Sequence, residues 1–143
     1  MPESTLLSGK VHVQSLFTVH GRPGPEAPRL KRLFLSQGEL AQFYDGTEGI
    51  CYMAAVELQA GSARGNHFHR VKEEQIYLMQ GELKLVVGDI ESGARESITL
   101  KAGDLAVISP RVAHALHTLS PGWTIEFSTT RFDPSDIHRF DLC

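Results

Sequence analysis

The sequence predicts an all-β protein built as a single sandwich or barrel, and three observations carry that prediction. After residue 30 the chain breaks into short runs rich in leucine, β-branched and aromatic residues: LKRLFL, ICYMAAVEL, EQIYLM, ELKLVVGD, ESITL, DLAVIS, AHALHTL and WTIEFSTT. Glycine, proline or acidic residues separate most of these runs, and none is long enough for an amphipathic helix. Several alternate at period two, the repeat of a strand with one buried face. Many short strands at close spacing are the mark of antiparallel sandwiches and barrels.

The elements follow in order. VHVQSLFTV reads as an N-terminal strand, and GRPGPEAPR (residues 21–29), with three prolines and two glycines, as a loop or extended arm. The arm is too short to join two domains. Residues 1–29 are therefore an N-terminal strand and arm, 30–133 the barrel, and 134–143 a C-terminal tail. SQGELAQFYDG (residues 36–46) is the one helical candidate in the body, with a serine placed to cap a short turn. Gly81 separates EQIYLM tightly from ELKLVVGD, and DIESGAR makes a hairpin loop before ESITL.

Composition narrows the function. At 143 residues the chain is one domain with one sizeable core. A net charge of -3, with lysines and arginines scattered, gives no field for nucleic acid. The longest apolar run, Ile50 to Val56, is too short to span a bilayer. The opening MPESTLLSGK has an early acid and no apolar core of a secretory signal, so a cytoplasmic protein is expected. Cys51 and Cys143 form no disulfide framework, and Cys51 is expected to be a buried thiol.

The stretch Gly61–Gly81, GSARGNHFHRVKEEQIYLMQG, carries the chemistry. On a strand His67 and His69 share one face while Phe68 points away. The turn through Arg70 to Lys72 then returns EQIYLM beside the first strand, and a glutamate at its start can face the same interior. The later GDLAVISPRVAH brings His114 from a separate strand. Imidazoles with a carboxylate suit zinc, iron, manganese, nickel or copper, and four such ligands leave positions open for substrate. Alone, the His-Phe-His pair and paired glutamates would also suit a solvated surface turn.

These residues resemble the cupin superfamily, whose first motif is G(X)5HXH(X)3-4E(X)6G. Gly61, His67, His69, Glu74 and Gly81 match it at every position. The second motif, G(X)5PXG(X)2H(X)3N, is met in part by Gly103 and His114. Ser109 stands at its proline, Arg111 at its second glycine and Thr118 at its asparagine. The resemblance implies a double-stranded β-helix, or jelly-roll barrel. It also implies a ligand set of His67, His69, Glu74 and His114 around one divalent ion such as zinc, iron, manganese or nickel. Only Glu74, not Glu73, keeps the six-residue spacing to Gly81. Cupins also commonly pair their barrels and exchange N-terminal strands, so a homodimer is expected.

A narrower likeness points to chemistry. RGNHFHRVKEE is similar to a phrase in the C-terminal cupin domain of bifunctional capsular-polysaccharide enzymes acting on nucleotide-linked keto-sugars, and FSTTRFDPSDIHRF is similar to that domain's closing phrase. It implies a metal-dependent epimerase or isomerase working next to a carbonyl. A cupin dioxygenase acting on a small enol or aromatic substrate would use the same ligands, and a non-catalytic small-molecule binding cupin remains a third reading. Arg64, Asn66 and Lys72 are candidate substrate-binding residues. Tyr52, Tyr77 and Glu126 are candidate acid–base groups. His117 is expected to face away from His114, and Thr118 to share its inward side.

Overall fold

The computed structural model describes residues 3–142, and Cys143 lies outside them. Twelve strands follow the order β1 Glu3–Leu6, β2 Val11–Ser15, β3 Phe17–His20, β4 Lys31–Leu35, β5 Gly38–Gln42, β6 Tyr52–Leu58, β7 Ala63–Phe68, β8 Glu74–Asp89, β9 Arg95–Lys101, β10 Asp104–Ile108, β11 Val112–Ser128 and β12 His138–Arg139. Apart from these, the described residues hold two single 3₁₀ turns, Leu7–Gly9 and Pro134–Asp136. Among the described residues no helix is long and apolar enough to cross a membrane.

Two long strands organise everything else. β8 and β11 pair antiparallel along their whole length, from Val112↔Asp89 to Phe127↔Gln75. The first half of β8 pairs with β10, which pairs with β2, and the second half of β11 pairs with β6. Beyond the midpoint β8 takes β9 as its partner, while the first half of β11 takes β7 and then β12. The same two strands thus serve both faces of a jelly roll. Gly81 is not a tight turn between separate strands, as its flanks suggested, but the corner where β8 crosses from one face to the other. Its φ is +100°, and a Cβ there would lie 2.7 Å from the carbonyl oxygens of both Ser120 and Pro121. The pairing of β11 shifts register at the same place, as sheets do when they turn a corner.

The interior is apolar. Leu78, Leu83, Leu85, Val87, Leu100, Val11 and Val13 are fully buried in its main cluster. A second cluster on the outer face joins Leu16, Tyr77, Leu105 and Phe127 with Phe43 and Tyr44. It is roofed by the small sheet of β3, β4 and β5 and the segment after it. That sheet corrects the helical reading of residues 36–46. Ser36 and Gln37 form a two-residue turn, with Leu35 opposite Gly38, so Leu40 and Ala41 pair along β4 rather than winding into a turn of helix.

Other expectations shift for local reasons. VHVQSLFTV divides at Leu16: its first part joins β10 and its second runs parallel to β4. The N-terminal strand therefore finds a sheet edge within its own chain. β1, unforeseen, adds to that edge. β8 does not return beside β7, because β11 lies between them. Cys51 is exposed, not buried. It precedes edge strand β6, in which Met53, Ala55 and Glu57 face outward in alternation with the half-buried Tyr52, Ala54 and Val56.

Candidate metal centre

The ligand strand β7 is distorted before it delivers its first histidine. His114 pairs with His67 and Ala115 with Gly65, which leaves Asn66 as an extra, bulged residue. Gly65 and Asn66 have φ of +89° and +57°. A Cβ at Gly65 would lie 2.5 Å from the His114 carbonyl oxygen, so only glycine allows the strands to approach here. Such bulges re-aim side chains, and this one sets His67 directly across from His114.

The turn before β11 is tied to the same place. Arg111, standing where the motif has glycine, adopts φ +65° and donates its N–H to the His69 carbonyl at 2.7 Å. The missing glycine is thus tolerated as a strained arginine, and His114 still arrives in place.

His67, His69, Glu74 and His114 converge, each offering one ligand atom, all within 4.8 Å of one another. Three are buried and His67 is half-buried. Glu74 opens β8 and turns inward, while Glu73 before it is exposed. His114 Nε2 lies 2.8 Å from Glu74 Oε2, and His69 Nε2 lies 4.0 Å from Oε1. The other ring nitrogens are committed: His69 Nδ1 is 2.7 Å from the Asp136 carbonyl and His114 Nδ1 is 3.1 Å from that of Val112. A carbonyl can only accept, so each Nδ1 carries a proton, which leaves Nε2 as the atom each neutral ring can offer to a metal. His69 Nε2 is buried without a hydrogen-bond partner, and His114 Nε2 has only the Glu74 carboxylate within reach. Buried polar atoms without partners are costly, and a divalent cation would satisfy both. The donor set therefore fits a metal ion.

The electrostatics agree with that fit. Burial, then the neighbouring His114 and His69, lower His67 to about 4, and burial also lowers His69. Both are neutral at physiological pH, the form that binds metal. Burial works to raise Glu74, but His114 and Lys72 outweigh it and hold it at about 2. Burial alone would lower His114; the Glu74 carboxylate instead raises it.

These residues share a cavity of about 160 Å³ with Tyr52, Arg64, Lys72, Glu126, Phe132 and Ile137. A larger groove of about 520 Å³, along Lys84, Arg95 and His117, is open and includes none of the four. Lys72 is buried, 3.3 Å from Glu74 Oε1 and 4.3 Å from the Tyr52 ring centre. Glu126 faces in from β11, and burial together with Glu74 raises it to about 7. Tyr52 is raised by burial and by Glu126.

The remaining sequence candidates lie elsewhere. Tyr77 has the opposite strand parity from Ile76 and stacks on Phe43 in the outer cluster, with ring centres 4.4 Å apart. Asn66 spends its side-chain oxygen on the Leu142 N–H. Thr118 is buried but its hydroxyl is 3.5 Å from Ser62, not beside a ligand histidine, and His117 lines the outer groove. Phe68 does point away from the cavity, into a cluster with Ala113, Ala115 and Leu142. Sequence reasoning missed Asp136, Phe132 and Ile137. Their only signal was the FDPSDI phrase, whose place in space no periodicity reveals.

The sequence profile of the Cupin domain family matches residues 54–127. A search of curated proteins by sequence finds no match. Among solved structures, the chain is similar to dTDP-4-dehydrorhamnose 3,5-epimerase from Sulfolobus tokodaii, with a TM-score of 0.76, 17% identity, and coverage of 99% of this chain and 84% of that one. ChmJ, a 3'-monoepimerase from Streptomyces bikiniensis solved with dTDP-quinovose, gives 0.76, 13%, 96% and 73%. A 3,4-ketoisomerase from Helicobacter canadensis gives 0.64, 16%, 78% and 86%. At these identities the likeness is one of fold.

Proposed function

The chain belongs to the cupin domain family, and on that premise we propose that it is a metal-dependent epimerase or isomerase of a keto-sugar, most naturally a nucleotide-linked one. The observation that carries the reading is a single cavity with two unlike walls. The half of the sheet with β7 and the start of β11 brings His67 and His114, and the half with β6 and the end of β11 brings Glu74, Glu126 and Tyr52. The fold neighbours named as sugar epimerases and a ketoisomerase, and the RGNHFHRVKEE likeness, support it.

A divalent ion held by the four ligands would supply polarisation of the substrate carbonyl. The chain's own groups do the rest. Glu126, poised near neutral pH, removes the proton on the carbon next to that carbonyl and returns it there or to a neighbouring atom. Tyr52, diagonal to it on the next strand, is a second proton carrier on the same side of the substrate, which suits return of the proton to a neighbouring atom in an isomerisation. Arg64 and Lys72 place positive charge against an anionic substrate, and Val56, Leu116, Phe132 and Ile137 exclude water. The cavity is smaller than the ~300 Å³ at which drug-sized pockets begin, so the reacting sugar enters and the nucleotide stays outside.

The test is proton exchange. Nucleotide-linked 4-keto-sugars incubated with metal-loaded protein in deuterated water should gain deuterium next to the carbonyl, and chelation should stop it. No exchange with any of them, alongside oxygen consumption with an enol or flavonol, would replace this reading by the dioxygenase.

A further inference from the structure

The closing stretch FDPSDIHRF lends only Phe132 and Ile137 to the chemistry above, yet it is tied to β7 and to the turn after it at several points. After β11 the chain makes the 3₁₀ turn Pro134–Asp136, capped where Asp133 accepts from the Ser135 N–H, and runs back as β12 along β7. Asp136 grips the site with three different atoms. Its Oδ1 accepts from the Arg70 N–H at 2.7 Å, and its Oδ2 from those of Val71 at 3.1 Å and Lys72 at 3.3 Å. Its main-chain oxygen accepts from His69 Nδ1 at 2.7 Å. The far end is fastened by Asn66, whose side-chain and main-chain oxygens accept from the N–H groups of Leu142 and Phe140 at 3.0 and 2.8 Å. Phe68 lies beneath, its ring stacked on His138.

We infer that Asp136 is a positioning residue that holds His69 and the turn leading to Glu74 in ligating geometry, and that the C-terminal segment is thereby an integral part of the centre. The inference rests on the reading of His69 and Glu74 as metal ligands. Only residues 70–73 separate those two side chains, and three of their four amides converge on one carboxylate. Hydrogen bonds to a charged acceptor are the strong kind, so the spacing of the two ligands is set from outside the segment that carries them. The same turn lays the carbonyl of Asp136 against His69, which fixes the Nδ1–H tautomer and leaves Nε2 free. An ordinary tail cap would do neither.

Three measurements on the full chain compare wild type with Asp136→Ala, the near-isosteric Asp136→Asn, and Ser135→Ala as a control in the same turn. In metal-free protein, nitrogen-15 spectra should show one His69 tautomer in wild type and a mixture in both Asp136 variants. Amide exchange at Arg70, Val71 and Lys72 should accelerate in the same two. Affinity for Mn²⁺ should weaken about 10- to 100-fold, the usual effect of removing an outer partner of a metal ligand. Ser135→Ala should match wild type in all three. If Asp136→Ala fails to fold, Asp136→Asn, which keeps its shape and one acceptor, decides. A folded Asp136→Asn protein with wild-type tautomer, exchange and affinity overturns the inference. Wild-type protein that binds no Mn²⁺ overturns the metal reading separately, because the first two measurements are made without metal.

Discussion

One barrel interior holds two regions that obey opposite rules. Toward the corner at Gly81, β8, paired with β11, sends in Leu78, Leu83 and Leu85, all buried and apolar. Toward the mouth, the same strands and β7 send in Glu74, Glu126, His114 and His67. Both regions are walled by the same kind of strand. The floor is what a fold of this size needs, since burying apolar surface is the dominant favourable term. The mouth is what a fold would avoid, with an orphaned imidazole nitrogen on His69 and a carboxyl on Glu126 pushed to about 7. Stability lives at one end and chemistry at the other.

If that division is real, substitutions at the two ends should have separable effects. The largest is expected at Glu126. Glu126→Gln should slow deuterium exchange by about 10²- to 10⁴-fold, the usual contribution of a positioned base, while metal stays bound. A rate within a few-fold of wild type would move the base elsewhere, with Tyr52 next in line.

At the floor the pattern inverts. Leu85 is fully buried, so Leu85→Ala should cost about 2–5 kcal/mol in chemical denaturation and leave the metal stoichiometry at one. Loss of metal without loss of stability would mean that the two ends are not independent.

The same contrast has a pH signature. Glu126 is raised from its ordinary 4.5 to about 7, so the metal-free folded state holds that proton more tightly than the unfolded chain. The stability it contributes is full below about 4.5 and is lost as pH rises through about 7. Metal-free Glu126→Gln should therefore gain on wild type across that interval and differ little below it. Thermal unfolding at a series of pH values checks the sign. A gap that instead widens toward acid would contradict the half-buried, proton-holding state of Glu126.

The smallest effect is expected at the turn before β11, at the mouth. Arg111 at φ +65° is strained where glycine is free, so Arg111→Gly should raise stability by roughly 1 kcal/mol. Its exposed pairing with Glu91 at 3.6 Å offsets little of this. Unchanged or lower stability would show that the arginine side chain matters more than its backbone.

How much of this is readable in the sequence divides along similar lines. The strand runs and the ligand spacing are local patterns, and Gly61, His67, His69, Glu74 and Gly81 carry them in one stretch. What failed was whatever depended on partners far along the chain. Gly81 looks like a turn because no local signal says that Ser120 and Pro121 crowd against it. Tyr77 and Glu126 look alike as acid–base candidates, yet strand parity sends one into an aromatic cluster and the other into the cavity. Cys51 reads as core because its run is apolar, and only the single partner of β6 reveals an edge. Asp136 is silent for the same reason: its three amide donors lie 64 to 66 residues earlier.

The central claim is that the polar mouth exists to hold a metal ion. Calorimetric titration of chelator-treated protein with Mn²⁺ and Zn²⁺ tests it most directly, against a His67→Ala, His114→Ala double variant whose fold is checked by circular dichroism. Wild type should take up one equivalent and the folded double variant none. One full equivalent retained by the double variant would contradict the claim.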